Sequence, residues 1–215
     1  VKQFEGVEFV ACNTDLQALQ FSLCPNLIQL GEKTTRGLGA GANPDVGEKA
    51  AEESLDKIME YLEETHLVFI TAGMGGGTGT GAAPVVAKAA REKNILTVAI
   101  VTKPFEFEGK KRMKLAEEGI KKLYNTCDIV LVIDNQNIFN LATQDTEFDE
   151  AFALANEVLY SAVNMLTSLI HKNGVINLDF ADLTSTIKSH NGKAGKAMIG
   201  KGSASGPNRA EEAAK

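Results

Sequence analysis

The sequence predicts an α/β fold, a mostly parallel sheet with helices on both faces, followed by one long central helix. Three observations carry this reading. Near-continuous Val/Ile/Leu runs at residues 67–72, 95–101 and 129–133 alternate with helix-like segments, the pattern of strands covered on both faces. A wide apolar stripe at three- and four-residue spacing runs from about 148 to 171, too broad for a peripheral helix. Segments rich in Asn, Thr and Gly follow the strand-like runs, where open α/β sheets place their ligands.

Residues 7–12 form a short apolar run that reads as the first strand. Residues 45–62 read as a helix through Val46, Ala50, Leu55, Ile58, Met59 and Leu62. Its start is marked by Asn43 as N-cap and Pro44 at the first helical position. LVFITA at 67–72 is a buried strand, 84–93 a helix, ILTVAIV at 95–101 a strand, 110–124 a charged helix and IVLVI at 129–133 a strand. The long helix carries Phe148, Phe152, Ala155, Leu159, Ala162, Leu166 and Leu169 on its stripe, and Thr146 with Asp149 makes a capping box at its start. A turn at Asn173-Gly174 leads to the segment 175–182 and a helix through about Ser189. A Gly-rich stretch and an Ala/Glu helix at 209–215 finish the chain. There is no internal repeat and no low-complexity linker.

Composition narrows the function. The chain has 215 residues, 22 Lys+Arg against 28 Asp+Glu, and a net charge of -6. That balance argues against a nucleic-acid binder. With 44% apolar and 23% charged residues, the chain has material for a core and is not a disordered composition. No run approaches the roughly 20 apolar residues of a membrane span, and no signal peptide opens the chain. Cys12, Cys24 and Cys127 are odd in number and lack CxxC spacing, so neither a disulfide framework nor a zinc site is expected. Cys12 reads as a small buried hydrophobe, and the cysteine usage fits a reduced, cytoplasmic compartment. No metal-ligating set of side chains is expected. The start at Val1 and the end inside a helix-like stretch read as cut ends.

Asn13-Thr14-Asp15, Gly73–Gly81, Thr102–Gly109 and Asp134–Asn137 each follow a strand. In a parallel sheet all four meet on one edge, as one ligand crevice. The glycine loop is the strongest local signal, with six glycines in nine residues between strand and helix. Such a loop lets the backbone approach a ligand closely, and the helix behind it offers free N–H groups to a phosphate. Thr78 and Thr80 add hydroxyl donors. The alternative is a tight turn with no ligand. The loop lacks the lysine of a P-loop. Gly77-x-Gly79-x-x-Ala82 and Gly37-x-Gly39-x-x-Ala42 match a loose dinucleotide pattern. The acid that would bind a ribose is missing, because the next strand ends Val101-Thr102-Lys103. The segment 37–44 also leads into a helix N-terminus, either as a second phosphate loop or as an ordinary lead-in.

Several motifs together resemble a known family. GGGTGTG at 75–81 resembles the glycine loop of the tubulin/FtsZ superfamily, and the wider match, TAGMGGGTGTGAAPVVA at 71–87, narrows to the FtsZ family of bacterial cell-division tubulin homologues. GAGANP at 39–44, TKPF at 102–105, FEGKKRM at 107–113, NLDFADL at 177–183 and GxASGPNRAEEA at 202–213 are similar to that family too. The resemblance covers essentially the whole chain. It implies a Rossmann-like GTPase domain that hydrolyses GTP to GDP with Mg²⁺, polymerises head to tail with copies of itself, and forms the division ring in the mid-cell cytoplasm. Gly39, Ala40, Gly41 and Ala42 would line the phosphates, and Gly75, Gly76, Gly77, Thr78, Gly79 and Thr80 would cradle them. Asn13 would face the nucleotide from the loop after the first strand. Glu108 and Arg112 would contact ribose and phosphate, Asn135 the sugar, and Phe152 and Asn156 the guanine. Asn177, Asp179 and Asp182 would complete the hydrolytic site of the adjacent subunit. The implied division is a GTP-binding domain over 1–146, a central helix with catalytic loop and helix over 147–190, and the start of a C-terminal region over 191–215.

Bland readings stand beside these. Glu108 and Arg112 could be a helix-surface ion pair, Phe152 a core residue, and Asp179 and Asp182 caps of the helix that follows. One length favours catalysis between subunits: Asn156 to His171 spans about 22 Å along a helix, so acids beyond that helix would serve a neighbour's nucleotide. Such a heterologous contact propagates as a filament. The sequence departs from the family at Asp134, commonly Pro, and at 189–196, which reads as an insertion. The family would also supply an earlier strand and phosphate loop, a second α/β domain, and a tail that binds membrane adaptors and division proteins without inserting into the membrane. The 215 residues alone are therefore expected to bind GTP weakly or not at all. The competing functions are an NAD(P)-binding oxidoreductase and a polymer-forming relative that binds nucleotide without efficient turnover.

Overall fold

The computed structural model describes residues 6–138, 148–171, 184, 185, 187, 195–197 and 204–214. Strands β1 (Val10–Asn13) and β2 (Asn26–Gln29) pair in parallel, with Val10 opposite Asn26. Strands β3 (Leu67–Gly73), β4 (Leu96–Lys103), β5 (Ile129–Asp134) and β6 (Gly195–Ala197) form a second parallel sheet in that order. Leu67 sits opposite Leu96, Val98 opposite Ile129, and Ile129 opposite Gly195. The helices are α1 (Leu16–Gln20), α2 (Glu32–Thr35), α3 (Pro44–Glu53), α4 (Leu55–Tyr61), α5 (Thr78–Glu92), α6 (Lys110–Thr126), α7 (Asn135–Ile138), α8 (Phe148–His171) and α9 (Arg209–Ala214). Among the described residues, no helix is long and apolar enough to cross a membrane.

The α/β class and the parallel sheet are as the sequence predicts. Strand β4 shows why its residues read as one apolar run: its first six are all buried. Alternate side chains leave opposite faces of a strand. Val98 and Ile100 pack with Leu131, Ile133, Ala162 and Val163 beneath α8. Ala99 and Val101 pack on the other side with Ala83, Ala87, Ala116, Ile120 and Leu123 of α5 and α6. A third cluster, Ile28, Leu30, Ala50, Ala51, Ile58 and Ala82, ties the two-stranded sheet to α3, α4 and α5. Helices α3 and α5 touch nearly backbone to backbone. A Cβ on Gly47 would strike the Gly77 carbonyl, and one on Gly81 the Pro44 carbonyl.

The structure corrects several boundaries. The first strand is Val10–Asn13 rather than 7–12. The segment read as one helix over 45–62 is two, broken at Ser54. The Ser54 hydroxyl is buried and accepts the Gly31 N–H at 2.9 Å, a tertiary bond that the helical pattern does not reveal. Helix α5 begins at Thr78, six residues before the expected start. Gly195 and Lys196, at the end of the region read as an insertion, open β6; residues 189–194 lie outside the described residues. Cys12 is exposed, not a buried hydrophobe, because β1 belongs to a two-stranded sheet rather than to the interior of the larger one. Thr146 and the segment 175–182 lie outside the described residues.

Candidate functional site

Strands β3 to β6 run parallel, so the loops after β3, β4 and β5 share one edge, and the Thr14–Thr78 contact brings the loop after β1 to it. At its centre the glycine loop leaves β3 and enters α5. Met74 N–H donates to the Thr102 carbonyl at 2.9 Å, tying the loop to the end of β4. Gly75 has φ +99, and a Cβ there would lie 2.6 Å from the Arg112 carbonyl. Its N–H donates to Thr80 Oγ1 at 2.8 Å. Thr80 is therefore buried and holds the loop's own shape. A Cβ on Gly79 would lie 2.6 Å from the Gly73 carbonyl, so this glycine serves close packing of helix on strand. Gly76 has open space where a Cβ would be. The first-turn N–H groups of α5 have no acceptor within their helix, and the positive end of its dipole points at this edge.

The second glycine segment meets the first. Gly39, Gly41 and Ala42 take φ values of 81, 58 and 57. A Cβ on Gly77 would lie 2.7 Å from Ala40 Cβ and 2.8 Å from the Asn43 nitrogen. Gly41 and Ala42 are exposed beside it, while Ala40 is buried. Asn43 caps α3 as expected, accepting the Asp45 N–H at 3.0 Å. The φ > 0 backbone of this turn presents N–H groups as an anion-binding concavity does.

Thr14 joins the two segments, a role the sequence reading missed. Its carbonyl accepts the Gly39 N–H at 3.1 Å and the Thr35 hydroxyl at 3.1 Å. Its hydroxyl lies 2.6 Å from the Thr78 hydroxyl. The only sequence signal was its place in the polar triplet after a strand; its complete burial could not be read. Asn13 beside it closes an Asx turn, accepting the Asp15 N–H at 3.1 Å.

On the other flank, Arg112 Nη1 and Glu108 Oε2 are 2.7 Å apart. Glu108 lies in a 3-10 turn, Glu106–Glu108, and its other oxygen accepts the Phe105 N–H at 2.8 Å. The pair is thus a staple between that turn and α6, and not a pair on one helix surface. The first turn of α6 holds Lys110, Lys111 and Arg112 with no acid. That arrangement opposes its own dipole and gathers positive charge beside the glycine loop. Asn135 follows β5. It is buried, and its Oδ1 has no hydrogen-bond partner among the described residues, an arrangement that costs about 1–3 kcal/mol when left unsatisfied.

The structure therefore brings Asn13, the segment 39–42, the loop 75–80, Glu108, Arg112 and Asn135 to one edge. Asn156 is an exposed residue of α8. Phe152 has its backbone in α8, and its side chain lies outside the description. Asn177, Asp179 and Asp182 lie outside the described residues. Among those described, no three His, Cys, Asp or Glu side chains gather as a metal-binding group.

Comparison with known proteins gives a consistent match. The model of the tubulin/FtsZ family, GTPase domain, matches residues 2–143. The cell division protein FtsZ of Bartonella bacilliformis is 57% identical over 210 residues, 98% of this chain and 35% of its own length. A solved FtsZ mutant from M. jannaschii superposes with a TM-score of 0.90 at 46% identity, covering 98% of this chain and 62% of that one. CetZ2 from Haloferax volcanii, solved as a GTPγS-bound protofilament, reaches a TM-score of 0.70 at 27% identity, over 82% of this chain and 52% of that one. The chain thus spans less than two thirds of these relatives. A nicotinamide oxidoreductase finds no support in these matches, and β4 ends in Thr102 and Lys103 with no ribose-binding acid. Sequence motifs, parallel sheet and glycine-lined edge agree with the match: the chain belongs to the tubulin/FtsZ family, and residues 2–143 match its GTPase domain.

Proposed function

We propose that the protein binds GTP at this edge, hydrolyses it, and assembles head to tail into division-ring filaments in the cytoplasm at mid-cell. The observation that carries this reading is the meeting of two glycine segments at the N-terminus of α5, with Gly77 packed on Ala40 and Asn43. Two adjoining N–H-rich turns suit a polyphosphate better than a single phosphate. CetZ2 from Haloferax volcanii, 27% identical, is a protofilament with GTPγS bound, which supports this reading.

The chain's own residues divide the work. Backbone N–H groups of Gly41, Ala42, Gly76 and Gly77 and the hydroxyl of Thr78 hold phosphate oxygens, while Gly39, Ala40, Gly75, Gly79 and Thr80 set the shape of the two turns. Arg112, positioned by Glu108, neutralises phosphate charge and reaches the ribose. Asn135 gives its unpartnered Oδ1 to the sugar, and Phe152 and Asn156 hold the guanine from α8. Mg²⁺ fits the chemistry of the site as a phosphate-held ion, with the Asp15 carboxylate beside Gly39 available to its water shell, and when bound it supplies charge neutralisation. Asn156 to His171 spans about 22 Å of α8. Asn177, Asp179 and Asp182, which follow that helix in sequence, are assigned to the nucleotide of the next subunit, where the acids orient or deprotonate the attacking water. Division proteins and membrane adaptors join through sequence beyond this domain.

The test is titration of the protein, in the form its gene encodes, with GTP, GDP, ATP and NAD, followed by light scattering with GTP and Mg²⁺. Guanine nucleotides bind and drive assembly. Asp182→Ala binds GTP but turns it over poorly, and its mixtures with wild type depart from the sum of the two activities. Binding of NAD in preference to GTP overturns the reading, and normal turnover by Asp182→Ala overturns the assignment of the acids.

A further inference from the structure

We propose that Thr14, which does not itself touch the nucleotide, acts as a positioning residue that commits the Thr78 hydroxyl to donate to phosphate. The proposal rests on the GTP-site reading above. Thr14 is fully buried, and its hydroxyl has one polar partner among the described residues, Thr78 Oγ1 at 2.6 Å. Thr78 is only partly buried and is the first residue of α5, at the mouth of the glycine loop. A hydroxyl has one proton to give and two lone pairs to receive with. Two hydroxyls in contact can share only one proton between them, so one donates and the other is left free to turn its proton elsewhere.

The surroundings decide the direction. The buried Thr14 hydroxyl has Thr78 Oγ1 as its one polar partner among the described residues, and either oxygen can donate. Thr78 faces the site, where an ionised phosphate oxygen is a pure acceptor. With phosphate present, Thr14 donates to Thr78 and Thr78 donates outward. Each bond polarises the next, which strengthens both. The same residue ties the second glycine segment in place, since its carbonyl accepts the Gly39 N–H at 3.1 Å. The Thr35 hydroxyl donates to that carbonyl as well, and accepts the Gly37 N–H at 3.3 Å. Thr14 thus sets both the distance between the two phosphate turns and the polarity of the hydroxyl between them.

The experiment is a double-mutant cycle on the protein in the form its gene encodes, using Thr14→Val, Thr14→Ser, Thr78→Val and the double valine variant. Kd is measured for GTP, GDP and inorganic pyrophosphate, beside thermal melting. Valine keeps the shape and the backbone carbonyl but removes the hydroxyl. Thr14→Val weakens all three ligands about 5- to 10-fold, the size of one lost hydrogen bond, with little change in melting. Thr14→Ser restores binding to within about 2-fold of wild type. The double variant is no weaker than Thr78→Val alone, because the two residues act in series. Wild-type affinity in Thr14→Val, additive losses in the cycle, or failure of Thr14→Ser to rescue overturns the relay while leaving the GTP site intact. A wild-type protein that binds neither guanine nucleotide nor pyrophosphate overturns the site reading and the relay with it.

Discussion

Substituting alanine at Gly77 and at its neighbour Gly76 should have opposite effects. At Gly77 the new Cβ would lie 2.7 Å from Ala40 Cβ, 2.8 Å from the Asn43 nitrogen and 2.9 Å from the Asn43 carbonyl oxygen, all well inside ordinary contact. Two of those atoms are backbone, so no rotamer change relieves the clash. Overpacking of this kind costs about 1–3 kcal/mol. The stiffer unfolded chain returns about 0.4–1 kcal/mol. A net loss of about 1–2 kcal/mol lowers Tm by about 3–6 °C in a chain of this size. Gly76 has no heavy atom within 4 Å of its built Cβ, so Gly76→Ala keeps Tm or raises it by a degree or two. Calorimetry of the ligand-free protein reads both. A Gly77→Ala variant that melts at or above wild type refutes the argument that the two turns are locked by contact at this residue. Nucleotide titration then separates shape from binding: under the proposed function, Gly76→Ala loses affinity without losing stability, because its methyl enters the open space assigned to phosphate.

Other substitutions test the frame. Burial pushes the Cys127 thiol up to about 12, with Asp128 adding to the rise and the Thr126 hydrogen bond opposing it. Iodoacetamide at pH 8 should leave Cys127 unlabelled in the folded protein and label it in urea, as mass spectrometry of the digest will show. Because its folded value is raised, its stabilising contribution is complete below about pH 8.5 and fades as pH climbs from there toward 12; Cys127→Ala flattens that decline in urea midpoints. Glu53 is held below the usual carboxylate range by the Lys33 N–H first, then by the Thr34 hydroxyl and N–H. Its contribution is present above about pH 4.3 and is lost as pH falls through the lower folded value, so Glu53→Gln should lessen the acid sensitivity of melting between pH 5 and 3. Asp128 accepts the Thr97 N–H at 2.9 Å and faces Arg91 Nε at 3.5 Å. Asp128→Ala strands a buried donor and costs about 1–3 kcal/mol, read as a lower urea midpoint.

The readable parts of the fold were those where local pattern and tertiary setting agree. The cores of β3, β4 and β5 read as apolar runs because their two faces pack into the clusters on either side of the sheet, and α8 declared itself by its stripe. The unreadable parts were set by contacts distant in sequence. Strand β2 is only Asn26–Gln29, with two polar ends, too short for alternation to show. The start of α5 was misplaced because Pro84 suits a first turn, whereas here it lies inside the helix. Gly79 and Gly81 resemble loop glycines but are helical, kept small by Gly73 and Pro44. Within the site, the glycine segments announced themselves and the structure placed them in contact. Thr14 did not, since a threonine after a strand carries no mark of burial. The Glu108–Arg112 spacing was legible, but the 3-10 turn that makes Glu108 part of a different element was not.

The two glycine segments belong to different sheets. Residues 39–42 follow the β1–β2 pair, and residues 75–77 follow β3 of the larger sheet. Among the described residues no ladder of strand hydrogen bonds joins the two sheets. Among the described residues the junction between them is a seam, crossed by the Ile28–Ala82 cluster, the α3–α5 packing and the Thr14–Thr78 contact, and the proposed binding edge lies across it. A polyphosphate gripped from both sides is a stitch through that seam. Its stabilisation goes to the junction, so hydrogen exchange along α3 and around Thr14 should slow on binding far more than exchange at the centre of β4.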